Sequence, residues 1–228
     1  MEQAMYDMLL RLPLFQGMSK ENLLEVFEYI TFDFRKVEDG KLAFHQGERC
    51  GELTFLMRGC LVAKTQAEGA DLSFSEELFA YVALEPQSLF GRSPYYKSSY
   101  VARGEVSLLS IDKSGVYDLI ARYEIFRINL LNMLSSKVEN LCERLWRMSS
   151  CGLEGRLVLF LRNLCTSLQG TKTLHVKMDD LADLLDDTRL NVSRILNKWK
   201  AEGLIFMRRK EFVVHDMAVL LAYFTSQA

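Results

Sequence analysis

The sequence predicts an α+β protein in three parts: a small antiparallel β structure, one long helix and a winged helix-turn-helix. Three observations carry that expectation. Residues 31–111 alternate short apolar runs with glycine-marked turns, the pattern of antiparallel strands. Residues 131–148 carry an apolar stripe at alternating three- and four-residue spacing. Residues 177–214 read as two short helices at a tight turn followed by a basic hairpin.

Near the N-terminus, residues 22–30 predict a short amphipathic helix. Leu23, Val26, Phe27 and Ile30 fall on one face, and Ser19 with Asn22 supplies the start chemistry. The strand region follows. Residues 42–44 precede the turn Gln46-Gly47-Glu48, residues 53–57 precede Arg58-Gly59, and residues 60–63, 79–84, 100–102 and 106–111 supply further runs. Such strands suit a sandwich, a roll or a barrel.

Residues 124–150 then predict a helix about 40 Å long, at 1.5 Å of rise per residue. Leu131, Leu134, Val138, Leu141, Leu145 and Met148 form its seam. A stripe at this spacing is matched best by an identical helix, so a homodimer is expected. Ser149-Ser150-Cys151-Gly152 interrupts the helix with small, weak helix formers. The expected parts are therefore 1–118, 119–150 and 151–228. A second amphipathic helix should begin near Leu153, with Leu157, Leu161, Leu164 and Leu168 as its stripe and Gly170 as its end.

Residues 177–203 carry the strongest signal. Leu181, Ala182, Leu184 and Leu185 make a short helix whose Ala182 is small enough for a close helix crossing. Asp186-Asp187 forms the turn, and Thr188 caps the next helix. There Val192, Ile195, Leu196 and Trp199 face inward, which leaves Arg189, Asn191, Ser193, Arg194, Asn197 and Lys198 for other faces. Arginine can donate two parallel hydrogen bonds to guanine, and asparagine can pair with adenine. Thr188 and Ser193 suit phosphate or base, and Lys198 suits phosphate. Residues 204–207 and 212–214 read as the strands of a wing whose tip is Arg208-Arg209-Lys210. Duplex DNA is the expected partner, read by Thr188, Arg189, Asn191, Ser193, Arg194, Lys198, Arg208, Arg209 and Lys210.

Charge agrees with that partner. The whole chain has a formal net charge of -2, yet from Cys151 onward 11 Lys and Arg stand against 9 Asp and Glu. Within residues 188–210 the only acid is Glu202, against Arg189, Arg194, Lys198, Lys200, Arg208, Arg209 and Lys210. A local basic patch on a mildly acidic chain fits a polyanion. Other classes are disfavoured. Five cysteines, with no C-x-x-C pair, predict reduced thiols rather than disulfides, zinc or an iron–sulfur site. No apolar run approaches the roughly 20 residues of a membrane span. No secretory pattern follows Met1-Glu2-Gln3, so a cytoplasmic location is expected. An enzyme is not expected, nor any cofactor or metal. G-x-S-x-G, P-loop and H-E-x-x-H motifs are missing, and His45 alone lies in the strand region, with His175 and His215 beyond it. The competing class is a ligand-binding or protein-docking module that makes no DNA contact.

Taken together, these segments resemble the Crp/Fnr family of bacterial transcription regulators over nearly the whole chain. The resemblance rests on Leu14-Phe15 with Leu23-Leu24, on Phe44-His45-Gln46-Gly47-Glu48 and the following Leu53-Thr54-Phe55-Leu56-Met57-Arg58-Gly59, and on Leu89-Phe90-Gly91 and Gly155-Arg156-Leu157. Asp180-Leu181-Ala182 with Thr188-Arg189-Leu190-Asn191-Val192-Ser193-Arg194-Ile195-Leu196 is its most specific part. The resemblance implies a cyclic-nucleotide-binding-like jelly roll that senses a small effector, a dimerisation helix, and a winged helix on a palindromic operator. RNA polymerase and an unidentified small-molecule effector are further partners to consider.

Departures narrow the expectation. Where cyclic-nucleotide-binding members carry Gly-Glu, this chain has Gly91-Arg92. The later segment reads Lys97-Ser98-Ser99 and lacks the family's arginine. A ribose acceptor is thus replaced by a cation, so cyclic AMP is not expected to bind in the family manner. Three readings of the roll stay open: another anion at Gly91, Arg92, Lys97, Ser98 and Ser99, an empty scaffold, or an effector in an apolar cavity. Haem at His45 or Cys50 is not favoured, because a lone histidine beside a turn far more often faces solvent. Leu190 stands where many relatives have glutamate, which predicts a different operator. Asp186 replaces the usual turn glycine, and aspartate tolerates a left-handed backbone better than most residues.

Overall fold

The computed structural model describes residues 2–67, 69, 71–148 and 152–227, with side chains described for 6–67, 69, 71–142 and 152–225. The chain divides into two compact units. One comprises residues 1–61 and 79–138, the other 62–78 and 139–228.

The first unit is an antiparallel β roll flanked by helices. It begins with α1 (Glu2–Leu9) and α2 (Lys20–Tyr29). Ser19 caps α2 by accepting from the Asn22 N–H, as the sequence expects, and Leu23 and Val26 are buried. Strands β1 (Asp33–Val37) and β2 (Leu42–Phe44) both pair antiparallel with β6 (Ser99–Asp112), with Asp33 opposite Ser110 and Val37 opposite Val106 in the first pair. Strand β5 (Val82–Leu84) pairs with the start of β3 (Glu52–Gln66).

Two expectations are corrected here. Arg58-Gly59 is not a turn, because β3 runs through it without a break. Gly59 has φ 93°, and a Cβ there would meet the Glu105 carbonyl oxygen at 2.5 Å, so glycine serves a close approach between strands. Likewise 100–102 and 106–111 belong to one strand, β6. Within it Gly104 takes φ 72° and donates its N–H to Asp39.

The short α3 (Pro86–Phe90) lies between β5 and β6. Helix α4 (Lys113–Arg122) starts where Asp112 accepts from the Gly115 N–H, and Tyr123 ends it. Phe15 packs edge-on against Phe126 of α5 (Glu124–Met148), with ring centroids 5.2 Å apart. Rings stacked edge to face add to the area they bury.

The second unit has its own core. Phe74, Leu157, Leu161, Leu174, Leu181, Val192, Leu196, Trp199, Phe212 and Leu220 are all buried in it. Its helices are α6 (Leu153–Leu164), α7 (Met178–Leu184), α8 (Arg189–Ala201) and α9 (Met217–Gln227). Its sheet pairs β4 (Ser73–Phe79) with β7 (Lys172–His175), β7 with β9 (Glu211–Val214), and β9 with β8 (Ile205–Arg208). Helix α6 is shorter than its stripe suggests, because Leu168 lies beyond its end at Cys165. The N–H groups of Thr166 and Ser167 turn instead to the Glu76 carboxylate.

Candidate nucleic-acid interface

Helices α7 and α8 meet at a tight turn. Leu185 closes α7, Asp186 adopts φ 48°, and the Asp187 N–H returns to the Ala182 carbonyl at 3.0 Å. Ala182 is buried at the crossing. Thr188 caps α8 by accepting from the Asn191 N–H at 3.3 Å. Val192, Leu196 and Trp199 anchor one side of α8 in the core.

The opposite side faces solvent. Arg189, Leu190, Arg194, Asn197 and Lys200 are exposed, and Ser193 is half-buried among them. Leu190 is 68% exposed. Asn197 donates to Ser193 Oγ at 3.3 Å, which fixes two polar side chains next to Arg194. Positions 190, 193/194 and 197 fall one helical turn apart, so a single face carries an apolar, a cationic and two hydrogen-bonding groups. Beside it the wing turns at Arg209 and Lys210, with Lys210 at φ 59°. Arg194, Arg208 and Arg209 make no ion pair among the described residues.

Helix α6 holds α8 at both ends. The Arg156 guanidinium donates to the Leu185 carbonyl and lies 2.9 Å from Asp187 Oδ2. The other oxygen of Asp187 accepts from the Thr188 N–H at 2.8 Å and from Asn191 Nδ2 at 2.9 Å. Those bonds, from Asn191 first and then Thr188, with Arg156 beside them, hold the Asp187 carboxyl below the usual carboxylate range. Farther along, Glu154 accepts from Trp199 Nε1 at 2.7 Å and pairs with Lys198 at 3.3 Å.

Residues 155–223 match the family model of the Crp-like helix-turn-helix domain. This stretch is a Crp-like helix-turn-helix domain. Over 95% of its length the chain shares its fold with the complete catabolite activator protein of Thermus thermophilus, at 23% identity and a TM-score of 0.54. The c-di-GMP responsive regulator CLP of Xanthomonas campestris aligns with 86% of the chain and 99% of its own, at 20% identity and a TM-score of 0.49. DNR of Pseudomonas aeruginosa aligns with 97% and 98%, at 19% identity and a TM-score of 0.46. Among curated proteins none matches the chain. The Crp-like domain match and the fold shared with the Thermus protein agree with the resemblance read from the sequence.

In the Crp-like domain the nine side chains expected to meet DNA fall into three groups. Ser193, Arg194, Arg208 and Arg209 lie on or beside the outward face. Thr188 and Asn191 are engaged in capping and in the Asp187 network. Arg189, Lys198 and Lys210 are paired with Asp179, Glu154 and Asp71 respectively. Asn197, which the sequence leaves on an outward face without a stated role, joins that face. The brace formed by Glu154 and Arg156, and the ion pairs of Asp71, are not visible in the sequence because they depend on tertiary contacts.

In the roll, the five candidate effector residues lie between the end of α3 and the start of β6. Gly91, Arg92 and Lys97 are exposed, and Ser98 and Ser99 are half-buried. Polar atoms of Lys97, Ser98 and Ser99 face internal partners. The N–H groups of Lys97 and Ser98 donate to the Glu85 carboxylate at 2.8 and 3.0 Å, and Tyr100 and Ser88 hydroxyls add bonds of 3.0 Å each. Ser99 Oγ accepts from the Gln46 N–H at 2.9 Å. Four donors that could cradle an anion therefore hold the protein's own carboxylate.

On α5 the seam residues Leu131, Val138 and Leu141 are 57%, 59% and 55% exposed, and Leu134 is half-buried. Ile128, 44% exposed, lies one turn before Leu131. The side chains of Leu145 and Met148 lie outside the described residues. Among the described residues no helix is long and apolar enough to cross a membrane, and no group of three metal-ligating side chains converges.

Proposed function

We propose that this chain is a sequence-specific DNA-binding transcription regulator that works as a homodimer on a palindromic operator. The observation that carries this reading is the outward face of α8, where Leu190, Ser193, Arg194 and Asn197 stand together beside the exposed arginines of the wing. A helix presenting such groups suits the major groove, and wing cations suit the phosphate backbone. Leu190 offers an apolar contact for a thymine methyl group. Arg194 suits a guanine edge.

The exposed stripe of α5 supports the dimer. Several half-exposed aliphatic side chains at heptad spacing gain most from an identical partner helix. Two-fold symmetry would then set two recognition helices about 34 Å apart, in successive major grooves. For the roll, the internal carboxylate at Lys97 and Ser98 supports a scaffold that needs no cyclic nucleotide.

An unbiased DNA selection with the purified chain tests the reading. It should return inverted half-sites about 10 base pairs apart, centre to centre. Binding should weaken steeply with salt. Arg194→Ala should cost on the order of 1–3 kcal/mol and relax one operator position, whereas Arg209→Ala should weaken all sequences alike. A chain that binds no duplex at low ionic strength would be the docking module instead.

A further inference from the structure

The sheet of the Crp-like domain includes a strand that arrives from far upstream. Four residues of β4 pair with β7, from Ser73 opposite His175 to Glu76 opposite Lys172. The joint is locked by charge. Lys172 and Glu76 side chains are 2% and 5% exposed and lie 3.4 Å apart. Glu76 also accepts from the Thr166 N–H at 2.9 Å, and Glu77 accepts from the Thr171 N–H at 3.0 Å.

This anchored strand carries Asp71 just beyond its first residue. One oxygen of Asp71, Oδ2, lies 3.0 Å from Lys210 Nζ and 3.5 Å from Lys177 Nζ. Two ammonium groups thus converge on one oxygen. Lys210 is at the wing turn, and Lys177 immediately precedes α7. Both line a cleft of about 360 Å³ whose rim also holds Arg189, Arg208 and Arg209. Their side chains are 48% and 52% exposed, so the pair is open to solvent. A backbone phosphate oxygen has the charge and acceptor character of the carboxylate oxygen now held there.

We propose that Lys177 and Lys210 form a phosphate-binding site for the DNA backbone, and that Asp71 fills this site in the free protein as an internal substitute that DNA must displace. The proposal rests on the DNA-binding reading above and adds two things to it. It assigns Lys177 as a backbone ligand, and it makes Asp71, two residues before β4, a competitor of DNA. Because β4 is pinned by the buried Lys172–Glu76 pair, the competitor stays at high local concentration.

The experiment uses the full chain and its selected operator, with salt titrations followed by fluorescence anisotropy. Asp71→Asn should bind roughly two- to tenfold more tightly, the range set by exposed ion pairs. Lys177→Ala should weaken binding to all duplexes and lower the salt slope by about one. Combined with Lys177→Ala, Asp71→Asn should keep the part of its gain that comes from releasing Lys210, and combined with both Lys177→Ala and Lys210→Ala it should lose the gain. Equal affinities for the wild type and Asp71→Asn, or an unaltered salt slope in Lys177→Ala, overturn the proposal. A second readout needs no DNA: acetylation of Lys177 and Lys210 by an amine-reactive reagent, followed by mass spectrometry with Lys200 as reference. Both should react faster in Asp71→Asn, and unchanged rates also overturn the proposal. If no variant binds duplex while acetylation responds as expected, the DNA reading fails and the hold of Asp71 on the lysines stands.

Discussion

Removing one buried carboxylate should strongly destabilise the C-terminal unit. In Glu76→Ala, Lys172 loses its carboxylate partner at 2% exposure and retains, among the described residues, the bond to the Gln169 carbonyl. The N–H groups of Thr166 and Ser167 lose their acceptor as well. Breaking a buried pair from one side costs about 3–5 kcal/mol. The orphaned N–H groups belong to the same event, so their cost of about 1 kcal/mol or more each is not simply added. A domain is stable by only about 5–15 kcal/mol, so this loss is a large share. The melting temperature should fall by more than about 10 °C. Urea unfolding of the full chain reads the effect, followed by emission of the buried Trp199 in a Trp146→Phe background. Glu76→Leu with Lys172→Met removes both charges and should recover part of the loss, because no buried charge is left unpaired, although the Thr166 and Ser167 N–H groups still lack their acceptor. A Glu76→Ala loss below about 1 kcal/mol, or a double variant no better than the single one, would show that the pair does not hold the hairpin to the domain.

Three shorter expectations accompany it. Val138→Asp places a charge at the centre of the α5 stripe in both copies and should weaken dimerisation by on the order of 100-fold or more, as read by analytical ultracentrifugation. Glu85→Ala strips an acceptor from Lys97, Ser98, Tyr100 and Ser88 and should lower the melting temperature by several degrees; acetate should restore part of that loss in the variant and not in the wild type. Asp187 has a carboxyl held below its ordinary value of 3.8, first by Asn191 and then by the Thr188 N–H. A depressed carboxyl stabilises the fold above its unfolded value, so the advantage over Asp187→Asn should be complete above about pH 5 and vanish as pH falls through the lowered value. Melting curves across that range check the sign.

What could be read from the sequence was local. Thr188 as a cap, the inward set Val192, Leu196 and Trp199, and the basic turn at Arg209 depend on neighbours within a few residues, and all three are where periodicity places them. Gly59 misled because a glycine in a strand region signals a turn, whereas here its missing side chain lets β3 approach Glu105, a residue far along the chain. Leu168 misled for a related reason. Its spacing continues the stripe of α6, but the N–H groups of Thr166 and Ser167 find a better acceptor in Glu76, about 90 residues upstream, and the helix stops. A still greater separation hid the ion pairs of Asp71 with Lys177 and Lys210.

The brace between α6 and α8 separates side chains that would read DNA from those that hold the reader. Asn191 has the right chemistry for adenine, yet its amide donates to Asp187, which also binds Arg156 and the Thr188 N–H. Lys198 has the right charge for phosphate, yet Glu154 holds it alongside Trp199. Arg194 lies exposed with no such tie. Truncating these three residues should therefore give different signatures. Arg194→Ala should leave stability within about 0.5 kcal/mol of wild type while changing which bases are preferred. Asn191→Ala leaves one Asp187 contact unmade at the first turn of α8, so it should lower stability by about 1 kcal/mol. It should weaken all operators together, because the whole helix loses its fixed start. If Asn191→Ala changed base preference at one position without loss of stability, Asn191 would be a reader and the Asp187 network would rearrange on DNA.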